Sequence, residues 1–229
     1  MSKIFDMDSP VMRVLNRVGD LLILNLLMIV CCLPVITMGA SFTAMHYVLL
    51  KIVRGEEGYL FKGFFKSFAR NFKQATILWL LVLLVVAVYV GDILIFSYSG
   101  MQFPKVLIVA VIAIAVLAAM VVAYIFPLLA RFDNTVWNTL KNAALMAFLN
   151  LPKTILMVVV YALPLVIAYF STYSIIFVIM FGYSVPAYIA AWLYSGIFKK
   201  FEPEVETTSD LEFTVTMDGG KEEEDGKSE

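Results

Sequence analysis

Residues 21–53 read LLILNLLMIVCCLPVITMGASFTAMHYVLLKIV, and residues 54–76 continue RGEEGYLFKGFFKSFARNFKQAT. The first stretch decides the fold. Residues 21–38 carry only Asn25 and Thr37 as ordinary polar side chains, and residues 39–53 follow almost without interruption. A segment that is apolar on every side must be buried on every side, and about 20 such residues cross a hydrocarbon layer roughly 30 Å thick. Residues 21–38 are therefore expected to span a membrane, with Pro34 and Gly39 bending or breaking the helix near its far end. Residues 39–53 contain Ser41, Thr43 and His46 and are shorter, which suits a short tilted span or a re-entrant leg.

Past Val53 the character changes. Arg54, Gly55, Glu56, Glu57 and Gly58 suit a turn and a helix start. Phe61, Phe64, Phe65, Phe68 and Phe72 then fall on one helical face, while Lys62, Lys66, Arg70 and Lys73 fall on the other. Such a helix is expected to lie flat in the membrane interface, with its rings at the acyl boundary and its cations facing anionic headgroups. The plainer alternative packs it against the protein's own membrane-end loops, and the two are compatible.

Composition agrees with a membrane protein. Of 229 residues, 62% are hydrophobic and 15% charged, too apolar a balance for a soluble surface. A net charge of −1 conceals an asymmetry. From Glu202 onward there are eleven acids and two bases, a net of −9, whereas the residues before it hold seven acids and fifteen bases, a net of +8. We therefore expect an integral membrane domain over residues 1–201 and an acidic, disordered tail over 202–229. Within that tail, Leu211, Phe213, Val215 and Met217 alternate with polar residues in a strand-like pattern that would suit addition to a partner's sheet edge.

Further along, apolar runs at residues 74–98, 105–130, 154–170 and 175–198 each suit a span. Pro164 is expected to interrupt the third of these. A second amphipathic connecting helix precedes it, carrying Trp137, Leu140, Ala144, Ala147 and Phe148 at helical spacing behind a cap at Asp133 or Asn134. The fold class expected is thus all-α and polytopic, with about six transmembrane helices arranged as three hairpins joined by two cytoplasmic amphipathic helices. Lysines and arginines collect in alternate loops, so the positive-inside rule sets both termini in the cytoplasm of a multi-pass cell-membrane protein. A five-span alternative would put Arg13 and Arg17 outside, against that rule. The apolar run is long and lacks a small-x-small site, so the first span is expected to stay uncleaved.

Polar residues within the spans are the candidate site: Asp20, Asn25, His46 and Asp92. Ionisable groups in a membrane are costly and mark pathways or pairs. For Asp20 the simpler expectation is an interfacial ion pair with Arg17, and for Asp92 a pair with Lys105. His46 suits a polar packing role at a helix crossing. Adjacent Cys31 and Cys32 point about 100° apart on a helix, which suits packing rather than a disulfide or a redox or metal site. No catalytic triad, His-Glu-x-x-His or Cys-x-x-Cys pattern occurs, so no enzyme, cofactor or metal is expected. The basic residues follow membrane edges, which argues against nucleic acid as a partner.

Residues 19–25 (GDLLILN), 31–41 (CCLPVITMGAS), 51–59 (KIVRGEEGY) and 65–76 resemble the YesL-like family of bacterial integral membrane proteins, found mainly in Gram-positive organisms. The match is dense over residues 5–80 and the helical pattern is compatible to about residue 200. The family's domain has no assigned function, and its genes often neighbour those for carbohydrate-uptake ABC transporters. The resemblance implies a link to sugar uptake or its regulation. Two functions follow. In the first, a non-enzymatic accessory protein engages an ABC-transporter permease or membrane sensor through its amphipathic helices. In the second, a small transporter or permease subunit uses the polar residues of a midplane cavity.

Overall fold

The computed structural model describes residues 10–56, 58–98, 104–170, 173 and 175–202. Helix α1 runs Pro10–Cys31, with Pro10 at its first position, where a missing N–H costs nothing. It stops before Pro34, whose ring bars the preceding residue from helical geometry. Thr37 then donates through Oγ1 to the carbonyls of Cys31 (2.6 Å) and Pro34 (2.7 Å), satisfying groups that the break releases. The sequence-based span of residues 21–38 is therefore displaced. Its helix starts eleven residues earlier and ends seven earlier, and the break lies at residues 32–37, around the expected Pro34, while Gly39 lies inside the next helix.

A short 3-10 turn, Val35–Thr37, leads into α2, Met38–Arg54. This helix is the centre of the bundle: 56% of its span is buried, against 6% for the most lipid-exposed span. Its polarity has that cause. Ser41, Thr43 and His46 are all buried within protein, and Ser41 and Thr43 donate back to the carbonyls of Thr37 and Gly39. Gly39 permits a close approach of α2 to α3. A β-carbon there would collide with the Ala75 carbonyl oxygen and lie 2.6 Å from Trp79 Cβ, so a hydrogen is the largest group that fits. α2 ends at Gly55, whose φ of 70° is the left-handed conformation of a helix C-cap, with the Glu56 N–H donating to Lys51 O at 3.0 Å.

Helix α3, Leu60–Tyr98, is one helix of 39 residues, about 58 Å long at 1.5 Å per residue. The first connecting segment is accordingly not a separate helix lying flat between two hairpins. It is the opening turns of α3, because nothing between Lys62 and Gly91 breaks the helix. Phe64, Ser67, Asn71, Ala75, Leu78 and Val82 are buried along it at helical spacing, and its principal neighbour is α2. Phe61 and Phe65 of the phenylalanine stripe stay about half exposed.

Helix α4, Lys105–Arg131, continues through Pro127 and buries only its second half, from Met120 to Ala130. Helix α5, Val136–Leu149, is capped by Thr135 and not by Asp133 or Asn134: the Thr135 hydroxyl accepts the Asn138 N–H at 3.3 Å. Asp133 instead pairs with Arg70 of α3. Helix α6, Leu151–Phe170, runs unbroken through Pro164, so the expected interruption is absent. Then come α7, Ile175–Phe181, and α8, Ser184–Phe198, bent by 45° at a short break.

Five of these helices are long and apolar enough to cross a membrane, and α7 with α8 makes a sixth if the bent pair counts as one span. The protein is an all-α polytopic membrane protein, and no strand occurs among the described residues. Residues 1–195 form one compact unit and residues 196–229 a second. Of the second, the described part holds the end of α8 and a turn in which Phe201 N–H donates to Phe198 O at 2.9 Å. The strand-like pattern at Leu211–Met217 lies outside the described residues.

Candidate functional site

A break in a membrane helix frees backbone groups that lipid cannot satisfy. At the α7–α8 break the partner is Asn25, reaching across from α1. Its Nδ2 donates to the Ile179 carbonyl at 2.7 Å, and its Oδ1 accepts the Ser184 N–H at 3.1 Å. One buried carboxamide thus bridges the end of one half-helix and the start of the next, which its donor and acceptor faces suit.

Near this break, His46 of α2 is buried between tyrosines of the last span. Its Nδ1 lies 3.1 Å from the Tyr194 hydroxyl and its Nε2 3.3 Å from the Tyr183 hydroxyl. A neutral imidazole donates through one nitrogen and accepts through the other, so one tyrosine serves as acceptor and the other as donor. Tyr161 of α6 presents its ring edge-on to His46 at 6.5 Å and stacks on Tyr183 at 6.0 Å. The Tyr161 hydroxyl is buried and has no hydrogen-bond partner.

Asn25, His46, Tyr161 and Tyr183 all line a cavity of about 640 Å³. Phe42 and Trp79 complete an aromatic wall, with Phe42 4.9 Å from Tyr183 and 5.6 Å from Trp79 between ring centroids. The in-helix prolines Pro127 and Pro164 also line it. Each removes one backbone donor from its helix without breaking it.

The four polar residues expected from the sequence are therefore divided. Asn25 and His46 share this cavity. Asp20 lines a different, open concavity together with Arg17, Lys51, Glu56, Lys62 and Lys66. Asp92 lies in the C-terminal half of α3, partly exposed, and lines neither. Arg17 acts on Asp20 electrostatically, as expected, without closing an ion pair, and Asp92 and Lys105 do not pair; Arg70 pairs with Asp133. Cys31 and Cys32 are unpaired thiols at the end of α1. No group of three or more potential metal ligands occurs among the described residues.

Sequence reasoning missed Tyr161, Tyr183 and Tyr194 as a group. A signal existed: tyrosines inside spans, away from the interfacial belt where they are usual, flank Gly182, Ser184 and Pro186, which are helix-breaking residue types.

On the opposite side of α2, the opening turns of α3 carry the amphipathic surface. Phe64 is fully buried and Phe68 and Phe72 partly so, while Phe61, Lys62, Phe65, Lys66, Arg70 and Lys73 are exposed. This surface is continuous with the apolar remainder of α3.

No curated protein and no solved structure matches the chain. Residues 21–93, which run from α1 to the C-terminal half of α3, match the family model described as a protein of unknown function, DUF624.

Proposed function

We propose that this chain is a non-enzymatic accessory or regulatory membrane protein that binds a partner through the amphipathic opening turns of α3. The observation that carries this is the continuity of α3: exposed Phe61, Phe65, Lys62 and Lys66 stand on the same 39-residue helix that crosses the membrane. Exposed aromatic and cationic side chains together suit either an anionic headgroup layer or a protein anchored at it. Four bases against two acids around the adjacent concavity of Arg17, Lys51, Lys62 and Lys66 support contact with anionic lipid. In this reading the basic end of the bundle faces the cytoplasm of a cell membrane, and so do both termini.

The resemblance to the YesL-like family supports a carbohydrate-uptake ABC-transporter permease, or a membrane sensor beside it, as the partner. The test is purification of tagged protein from native membranes after gentle solubilisation, with mass spectrometry of what stays bound. A transporter or sensor subunit that is retained by the native chain and lost in Phe61→Glu/Phe65→Glu is expected. Recovery of the chain alone in several detergents rules against the proposal.

A second reading, a small transporter, is favoured by one observation: the broken α7–α8 helix beside a buried polar cluster, an arrangement used for midplane substrate sites. It requires His46→Phe to abolish transport while expression is retained.

A further inference from the structure

We propose that two adjoining basic recesses on the opening turns of α3 form one site for a phospholipid whose headgroup carries two phosphodiesters joined by a short polyol bridge, the diphosphatidylglycerol class. This rests on the reading of that surface as one that faces anionic headgroups, and adds to it a fixed site and a lipid class. The first recess, about 850 Å³, lies between α1, the end of α2 and the start of α3. Arg17, Lys51, Lys62 and Lys66 bring four positive charges to it against Asp20 and Glu56, a net of +2. The second, about 60 Å³, lies between α3 and the end of α4, where Lys66, Arg70 and Arg131 stand against Asp133, again a net of +2. Lys66 and Tyr47 line both, so the recesses are neighbours with one lysine between them. Counting Lys66 once, six bases and three acids leave +3, and a lipid with two phosphodiesters brings −2.

Spacing favours two linked phosphates over one. Lys62, Lys66 and Arg70 occupy successive turns of one helix, four residues apart, so their positions repeat about every 6 Å. A three-carbon bridge between two phosphates covers such a step and sets each phosphate between two cations, with Lys66 serving both. These cations are available. Among the described residues Lys62 and Lys66 close no ion pair, and Arg17 acts on Asp20 without closing one. Lys51 Nζ lies 5.2 Å from the centroid of the Tyr47 ring, which lines the same recess. Arg70 is paired with Asp133 but keeps donors to spare, since a guanidinium carries five. The backbone adds to them. Gly63 N–H donates to Tyr59 O at 2.8 Å, so the N–H groups of Leu60, Phe61 and Lys62 before it have no acceptor within the helix.

Depth favours a lipid over a soluble anion. The apolar run of α1 begins at Leu21, directly after Asp20, and that of α2 ends at Leu50, directly before Lys51. The first recess therefore lies where these two helices leave hydrocarbon, at the level of the headgroups. Phe61 and Phe65, 55% and 49% exposed, stand on the same turns as Lys62 and Lys66 and offer acyl chains an apolar contact beside the phosphates. Basic pockets between spans are a recurring setting for headgroups that carry more than one phosphate.

The experiment is native mass spectrometry of the purified full-length chain, titrated in detergent with diphosphatidylglycerol or with twice the concentration of phosphatidylglycerol, which matches it phosphate for phosphate. No partner protein is present, and Phe61 and Phe65 are left unchanged, so this result and partner retention can fail independently. One diphosphatidylglycerol per chain is expected, with a midpoint about tenfold below that of phosphatidylglycerol. Lys66→Gln should raise the midpoint about fivefold or more, the worth of one base at an anionic surface. Lys153→Gln removes the same charge at the start of α6 but lines neither recess, and should leave the midpoint in place. Should Lys66→Gln fail to fold, Lys62→Gln/Arg70→Gln takes one cation from each recess and must raise the midpoint likewise. Inorganic pyrophosphate should not displace the lipid. Equal binding of the two lipids per phosphate, equal effects of the recess variant and Lys153→Gln, or displacement by pyrophosphate would overturn the assignment.

Discussion

Asn25 and Ser184 are 159 residues apart, yet the Asn25 side chain accepts the Ser184 backbone N–H at 3.1 Å while donating to Ile179 at 2.7 Å, so α1 holds the broken last span closed. Replacing it by Leu keeps the size and deletes both partners. Two backbone groups are then stranded where water is scarce, and each costs about 1–3 kcal/mol. Asn25→Leu should lower the thermal unfolding midpoint in detergent by more than Asn25→Asp, which retains the acceptor for Ser184. Equal midpoints for the two would show that the bridge contributes no stability.

Gly39 and Gly91 make a paired prediction about helix packing. Both lie within helices, where glycine costs roughly 0.5–1 kcal/mol relative to alanine through chain entropy. At Gly91 an added β-carbon meets nothing within 4 Å, so Gly91→Ala should be neutral or stabilising. At Gly39 the same methyl collides with the backbone of Ala75, which cannot yield as a flexible side chain would. Gly39→Ala should therefore destabilise, by about 1–3 kcal/mol as overpacking does, with α2 forced away from α3. Unfolding titrations in mixed micelles measure both, and a destabilised Gly91→Ala would point to a packing partner for the C-terminal half of α3.

These two cases also mark how far the sequence carries. The spans were legible because lipid demands long apolar runs, and α2's Ser41, Thr43 and His46 only shortened the signal. The extent of α3 was less so. A change in side-chain pattern near Lys73 reads as a helix boundary, whereas it records where one continuous helix leaves protein and polar surroundings for lipid. The cluster of His46 with Tyr183 and Tyr194 was not legible at all. Its members are 137 and 148 residues apart, and no local periodicity encodes a contact between distant helices. Asp20 and Asp92 were grouped with His46 on polarity alone, and polarity does not fix depth or direction.

The ion pair of Arg70 with Asp133 ties the opening turns of α3 to the loop before α5. Its side chains are 59% and 77% exposed, so solvent and salt screen it and its worth is expected to be under about 1 kcal/mol. Arg70→Ala and Asp133→Ala should each shift stability slightly. In a double-mutant cycle the coupling should shrink further as salt rises from 0.05 to about 0.5 M, because the screening length falls below the pair's surroundings. A coupling well above 1 kcal/mol that ignores salt would mean the pair is shielded by lipid or by a partner on this surface.

The arrangement of the spans makes a topology prediction that tests orientation independently of any partner. Leu33 lies in the turn between α1 and α2 and is 78% exposed, while Lys153 opens α6 and is exposed at the end of the bundle that carries the basic residues. With both native cysteines changed to serine, Leu33→Cys should react with a membrane-impermeant maleimide added to intact cells. Lys153→Cys should react only after permeabilisation. Lysines and arginines flanking the spans set this expectation, since positive loops are retained in the cytoplasm. The reversed pattern would put the Phe61–Lys73 surface outside, beyond reach of any cytoplasmic partner. Protection of both positions until permeabilisation would mean that the intervening segments cross an even number of times, which is the five-span arrangement with α2 as a re-entrant leg.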